Sequence, residues 1–274
     1  MFNKQESNIK SNFFDKHDED GGSKRNLTNW NLKLVGGLAV LWSLFQLWYA
    51  SPLPFILDFG KFIDVPARAI HLAFGMSLCF LAYPAFKSGR NKKISLIDYL
   101  FVIISLTATL YLYLDYEGLV DRQGILANLE IFNYKIPYEL FLGLFGIILL
   151  LEATRRAIGI PLVVIALVFL LFSIFGQIMP HLISHQGLSF TRLVGYHWFG
   201  GEAIFGIPIS VSVSFIFLFV LFGSTLDAAG GGKYFLNLAF ALVGKMRGGP
   251  AKAAILASGL TGLISGSSVA NLSL

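Results

Sequence analysis

Long apolar runs alternate with short polar breaks along the chain, and this pattern predicts a bundle of membrane helices. Six apolar segments of 17 to 24 residues fall at about 32–50, 66–86, 94–114, 138–154, 160–179 and 203–226. A helix needs about 20 residues to cross a hydrocarbon core of about 30 Å. Prolines and glycines punctuate the runs. Pro52 and Pro54 stop the first, Pro66 stands in the first turn of the second, and Gly159 with Pro161 separates the fourth from the fifth. Trp30, Trp42, Trp48 and Tyr49 near the ends of the first run fit an aromatic belt.

The polar stretches differ in kind. Residues 1–29 mix lysines, aspartates and glutamates around Gly21-Gly22, and are read as a disordered cytoplasmic tail. Residues 180–202 are amphipathic and too polar to span, with His197, Trp198 and Phe199 read as interfacial. Residues 234–246 are apolar but short, a helix lying along the membrane surface or entering it obliquely. Arg247-Gly248-Gly249-Pro250 then turns the chain into a last apolar segment, 250–264, of about 22 Å. Too short to cross, it reads as the first arm of a re-entrant hairpin.

Composition agrees. Of 274 residues, 55% are hydrophobic and 14% charged, against about 25% charged in soluble domains. Mean hydropathy is +0.68. The fold class is an all-α integral membrane protein of about six transmembrane helices, a surface helix and a truncated re-entrant hairpin. The polar start of the chain predicts no cleavable signal peptide. The single Cys79 forms no disulfide within one chain and reads as a small buried hydrophobe.

Charge placement sets orientation. With the N-terminus in the cytoplasm, sixteen lysines and arginines fall inside and five outside, namely Lys61, Arg68, Arg122, Lys135 and Arg192. The chemistry-bearing residues of the spans, Asp98, Glu139, Glu152 and His71, are scattered near helix ends and do not converge on one level, which argues against a membrane enzyme. Glu152 reads as the partner of Arg155 and Arg156, and Arg68 as snorkelling to the interface. His181 and His185, four apart, would suit a metal on a helix but lack a third ligand. Gly230-Gly231-Gly232-Lys233 is no phosphate loop, since neither Ser nor Thr follows the lysine.

The richest polar motif follows the last apolar segment: Ser265, Gly266, Ser267, Ser268, Val269, Ala270 and Asn271. Backbone left bare at membrane depth persists only where it is buried in protein or lines a wet cavity. Hydroxyls and freed carbonyls there suit a coupling ion. The other reading is helix packing, because Ser258, Gly262 and Gly266 recur every four residues.

Residues 187–271 resemble the large membrane subunit of TRAP (tripartite, ATP-independent periplasmic) transporters. The resemblance rests on Gly206-Ile207-Pro208, Gly223 through Gly230-Gly231-Gly232, Leu242-Val243-Gly244 with Arg247-Gly248-Gly249, and the Ser265–Asn271 motif. Their order is similar to the TAXI-type branch, in which small and large subunits are fused. Residues 30–156 then correspond, in layout and hydropathy, to the four-helix small subunit, and 157–274 to the start of the large one. The resemblance implies a sodium-driven inner-membrane importer of organic acids, dicarboxylates among them, fed by a periplasmic substrate-binding protein. It implies sodium as coupling ion, no other cofactor or metal, membrane lipids as surroundings and no nucleic acid. It places sodium and substrate at Ser265, Gly266, Ser267, Ser268 and Asn271. Members continue well past this motif, so the resemblance also predicts a missing C-terminal half of the permease. The alternative is a non-transporting membrane scaffold or assembly subunit.

Overall fold

Apolar surface turned toward lipid gives helices no reason to associate, so the helices pair where small side chains let backbones approach. The computed structural model describes residues 25, 27, 30–85, 94–122, 125–131 and 134–265. Helix α1 (Trp30–Ala50) leads through a short turn, α2 (Leu53–Ile56), to α3 (Asp64–Ala82). Then come α4 (Leu96–Leu114) and a small helix at its end, α5 (Tyr116–Asp121). A hairpin of strands β1 (Leu129–Ile131) and β2 (Tyr134–Ile136) pairs antiparallel in the register Leu129 with Ile136 and Ile131 with Tyr134. Helices α6 (Tyr138–Ala157) and α7 (Ile160–Ile174) follow.

The buried core lies among α3, α4, α6 and the segment that follows α7. Ala67, Ala69 and Ala73 on α3 and Ala108 on α4 are almost wholly buried. Capping residues fix the start of α4: Ser95 accepts from the Ile97 amide, and Asp98 accepts from the Ser95 amide at 3.3 Å. Between α6 and α7, Gly159 takes φ +120°, a backbone that a side-chain-bearing residue rarely adopts, and Pro161 opens the next helix.

Residues 190–199 depart from the interfacial expectation. Helix α8 (Phe190–Val194) runs into a π-helical turn at Gly195–Phe199, and this pair inserts against the bundle. Trp198 is fully buried, packs against Gly143 and Gly146 of α6, and donates its indole N–H to the Ala108 carbonyl at 3.2 Å. Two glycines on one face of α6 open the space that the ring fills. An amphipathic pattern cannot show that the apolar face meets protein rather than lipid.

Helix α9 (Ile207–Val211), a π-turn at Ser212–Ile216 and α10 (Phe217–Ala228) form one rod with a bulge. Pro208 lies in its first turn, so the helix starts at Ile207 rather than at 203. Left-handed Gly230 (φ +88°) turns the chain into α11 (Gly231–Val243), and α12 (Gly249–Ser265) returns alongside it. Ala239, Ala253 and Ala257 are fully buried between them. The seam therefore runs through Ala253 and Ala257, one position off Ser258 and Gly262 of the alternative packing row, whose third member, Gly266, lies outside the described residues.

Among the described residues, four helical stretches are long and apolar enough to cross a membrane: Trp30–Ala50, Asp64–Ala82, Leu96–Leu114 and Ile207–Leu226. Helix α6 has 20 residues but carries Glu139, Glu152, Arg155 and Arg156 at its ends, and α7 is strongly apolar but only 15 residues long. The protein is a helical, multi-pass membrane protein.

Candidate functional site

Three polar assemblies sit at different heights in the bundle. At one end, Asp98 on α4 accepts from Arg156 at 2.7 Å and from Arg25 at 2.7 Å. Arg156 also reaches Glu152 at 2.8 Å, and Arg155 holds both Glu152 oxygens at 2.7 and 2.8 Å. The Arg25 amide donates to the Ala82 carbonyl, tying the chain before α1 to the end of α3. Asp98 and Glu152, 54 residues apart, therefore do converge, through Arg156; their scatter along the sequence hid this. The two carboxylates balance two of three guanidinium groups, and Arg25 Nε and Nη1 are buried with no hydrogen-bond partner among the described residues. The Arg156 guanidinium lies against a pair of adjoining aromatic rings, 5.1 Å from the Phe80 centroid and 5.4 Å from that of Phe101.

The second assembly lies at the opposite end, about 20 Å away along α4. Glu139, fully buried in the first turn of α6, meets Arg122, the Ala127 amide and the Tyr111 hydroxyl, the last at 2.6 Å. Arg122 also bonds Asp115 at 2.9 Å. The Arg122 guanidinium first, and the Tyr111 hydroxyl second, hold the Asp115 carboxyl below its ordinary range. Arg68, instead of snorkelling free, donates to the Phe205 carbonyl at 2.8 Å and so fastens α3 to the loop before α9.

The third assembly lies between α1, α3 and the bulge of the α9–α10 rod. Gln46, fully buried, donates its amide N–H to the Val213 carbonyl at 2.5 Å. A π-turn shifts the i→i−4 ladder and frees carbonyls of this kind. With the amide nitrogen so engaged, Gln46 Oε1 faces His71 Nδ1 at 3.2 Å, and Trp42 Nε1 approaches the same nitrogen at 3.2 Å. His71 Nε2 is 3.1 Å from Ser212 Oγ. One Nδ1 cannot serve both neighbours. Protonated, it donates to Gln46 and leaves the Trp42 N–H without that acceptor; as a lone pair, it accepts from Trp42 and leaves Oε1 without that donor. The two neutral tautomers therefore also reverse the direction of the bond to Ser212.

Sequence reasoning placed His71 near a helix end and passed over Gln46 and Ser212. The available signal was the polar side chains Gln46, His71 and Ser212 within three otherwise apolar segments, which inside a membrane call for partners. His181 and His185 lie in a turn and an extended stretch rather than on a helix. The His185 ring turns back to the Phe172 carbonyl at 3.0 Å and the Gly187 amide at 3.1 Å. The i, i+4 spacing therefore has no helical meaning here.

Of the serine-rich tip, the structure describes the helix that leads to it. Helix α12 has 17 residues, about 25 Å, and Ser265 is its last residue. Gly266, Ser267, Ser268 and Asn271 lie outside the described residues.

Residues 145–273 match the family model of the Tripartite ATP-independent periplasmic transporter, DctM component. The uncharacterized protein YgiK of Salmonella typhimurium is 34% identical over 140 residues, covering 51% of this chain. The chain spans 28% of that relative's length. No solved structure matches the chain. The segment that contains Trp198, the bulged rod and the α11–α12 hairpin is thus similar to the large membrane component of TRAP transporters, a transporter family, and this similarity supports a place in the TRAP permease family.

Proposed function

We propose that the chain forms the N-terminal part of a TRAP-type permease that couples sodium entry to import of organic acids delivered by a periplasmic binding protein. The observation that carries this reading is the α11–α12 hairpin. Its alanine seam fixes a helix of about 25 Å that leads in the sequence into the Ser265–Asn271 motif, inside the segment that matches the DctM component. A helix C-terminus presents unpaired carbonyls and partial negative charge. Added hydroxyl and amide oxygens make a site for a hard cation without the cost of burying a carboxylate. The bundle of α1, α3, α4 and α6 serves as the small-subunit-like scaffold, with Gln46, His71 and Arg68 gripping the transport segment at Val213, Ser212 and Phe205.

Sodium-dependent thermal stabilisation of the purified chain tests the ion site. Sodium should raise the melting temperature in a saturable way, and potassium at equal ionic strength should not. Ser267→Ala and Asn271→Ala should each raise the half-saturating sodium concentration by about 10- to 150-fold, the loss expected for one ligand to a charged group. Equal stabilisation by potassium, or unchanged sodium response in both variants, would refute the assignment.

A further inference from the structure

We infer that the groove beside Arg192 binds one anionic phospholipid from the leaflet facing that end of the bundle. A cavity of about 610 Å³ opens between α5 and the 188–201 segment. That volume falls within the roughly 300–1,000 Å³ of ligand pockets. Its walls are apolar, formed by Leu119, Val120, Leu188 and Phe199, with Tyr116 and Tyr196 beside them. Arg192 lines the cavity, and it also lines a second one of about 600 Å³ that includes Leu126 and Leu140. One cation thus stands between an apolar cleft and a mixed one that also carries Asn128 and Thr191, an arrangement that suits an anionic head with an acyl chain laid in the apolar cleft.

Charge argues the same way. Arg192 is exposed and, among the described residues, forms no ion pair. Of the carboxylates beside the lining residues, Asp115 is held by Arg122, and Glu117 and Glu202 are exposed to solvent. Height in the membrane fits too. Phe199 in the groove wall packs against Tyr111, three residues or about 4.5 Å before the end of α4 at Leu114, whereas Tyr116 lies just beyond that end. The groove therefore spans the level where acyl chains give way to headgroups, and its two tyrosines suit that level. A guanidinium binds a phosphodiester through paired N–H donors, which zwitterionic lipids offset with their own ammonium. This inference stands independently of the sodium site.

Native mass spectrometry of the purified chain, offered equal amounts of phosphatidylglycerol and phosphatidylcholine, tests it. One phosphatidylglycerol should be retained preferentially. Arg192→Gln should weaken that retention about tenfold, while Arg192→Lys should recover part of it. Val120→Trp, which fills the apolar wall, should weaken retention of both lipids. Lys61→Gln should change nothing, because Lys61 is already paired with Asp58. Equal retention of the two lipids, or undiminished phosphatidylglycerol on Arg192→Gln, would overturn the inference. Displacement of phosphatidylglycerol by glycerol 3-phosphate alone at similar concentration would also overturn it, by showing a site for soluble anions.

Discussion

Trp198 occupies the space that Gly146 leaves on α6: a Cβ at position 146 would run into the indole ring. Both residues lie within the segment that matches the DctM component, so the contact ties α6 to the part of that segment beyond α7. The tryptophan is wholly buried and its N–H is spent on the Ala108 carbonyl, so the ring has nowhere to retreat.

Gly146→Ala should therefore destabilise the chain by about 1–3 kcal/mol, the usual cost of overpacking. Gly36→Ala on α1, where an added Cβ meets nothing within 4 Å, should be neutral or slightly stabilising. Unfolding of both variants in mixed micelles, compared with the parent, gives the difference. Equal behaviour of the two would show that the Trp198 packing is not a fixed contact.

Helix positions were legible in the sequence because apolar run length and proline punctuation report the chain's own requirements. Thus 32–50 became Trp30–Ala50, 138–154 became Tyr138–Ala157, and α3 stopped at Ala82, ahead of Pro84, rather than at 86. What each polar side chain does was less legible. The Glu152 pairing with Arg155 and Arg156 was readable because the partners are three and four residues apart. Arg25 with Asp98, Gln46 with Val213 and Trp198 with Ala108 join positions 73, 167 and 90 residues apart. Nothing local encodes such pairings.

Asp98 sits between two buried guanidinium groups, and removing it should be more damaging than removing either arginine. Asp98→Ala takes the ion pair from Arg25, whose side chain is 3% exposed and already under-bonded, and leaves Arg156, 1% exposed, with Glu152 as its remaining carboxylate. Breaking a buried pair from one side costs about 3–5 kcal/mol. Glu152→Ala, whose carboxylate is 23% exposed, should cost less. Chemical unfolding of the two variants checks the order, and a larger loss for Glu152→Ala would contradict the geometry.

Acid should loosen the opposite end of the bundle. Asp115 has its folded value lowered by Arg122 and then Tyr111, from an ordinary value near 3.8. A lowered carboxyl contributes stability above its unfolded value, and the contribution is lost as pH falls through the folded value. Stability should thus be flat from neutral pH to about 5 and fall below about 4. Asp115→Asn should be less stable at neutral pH and show a shallower fall in that acid window. A parallel fall in parent and variant would show that Asp115 does not carry the effect.

Orientation is open to direct labelling. The lysine and arginine asymmetry puts Ser189 outside and Ser88 inside. In a Cys79→Ala background, an impermeant thiol reagent added to intact cells should modify Ser189→Cys and leave Ser88→Cys unmodified until the membrane is opened. Labelling of Ser88→Cys in intact cells would reverse the topology, and with it the leaflet assigned to the Arg192 groove.

The Gln46–His71–Ser212 cluster makes a prediction about coupling rather than loss. His71 shares one Nδ1 between Gln46 and Trp42 and passes its tautomeric state to Ser212 through Nε2. Gln46→Leu leaves the Val213 carbonyl without its amide donor and removes the acceptor facing Nδ1, and it should cost about 1–3 kcal/mol. Once Oε1 is gone, Nδ1 accepts from Trp42, so Nε2–H is fixed as donor to Ser212 Oγ. Ser212→Ala should then have a different cost in the Gln46→Leu background than in the parent. A double-mutant cycle on unfolding free energy should give a coupling of at least about 0.5 kcal/mol, although Gln46 and Ser212 touch only through His71 and the bulge. Repeating the cycle in His71→Leu separates the two routes. If the ring carries the coupling, it should vanish there; a coupling that persists would place it in the π-turn backbone, and strict additivity in the parent would leave three polar residues that share a location but not a function.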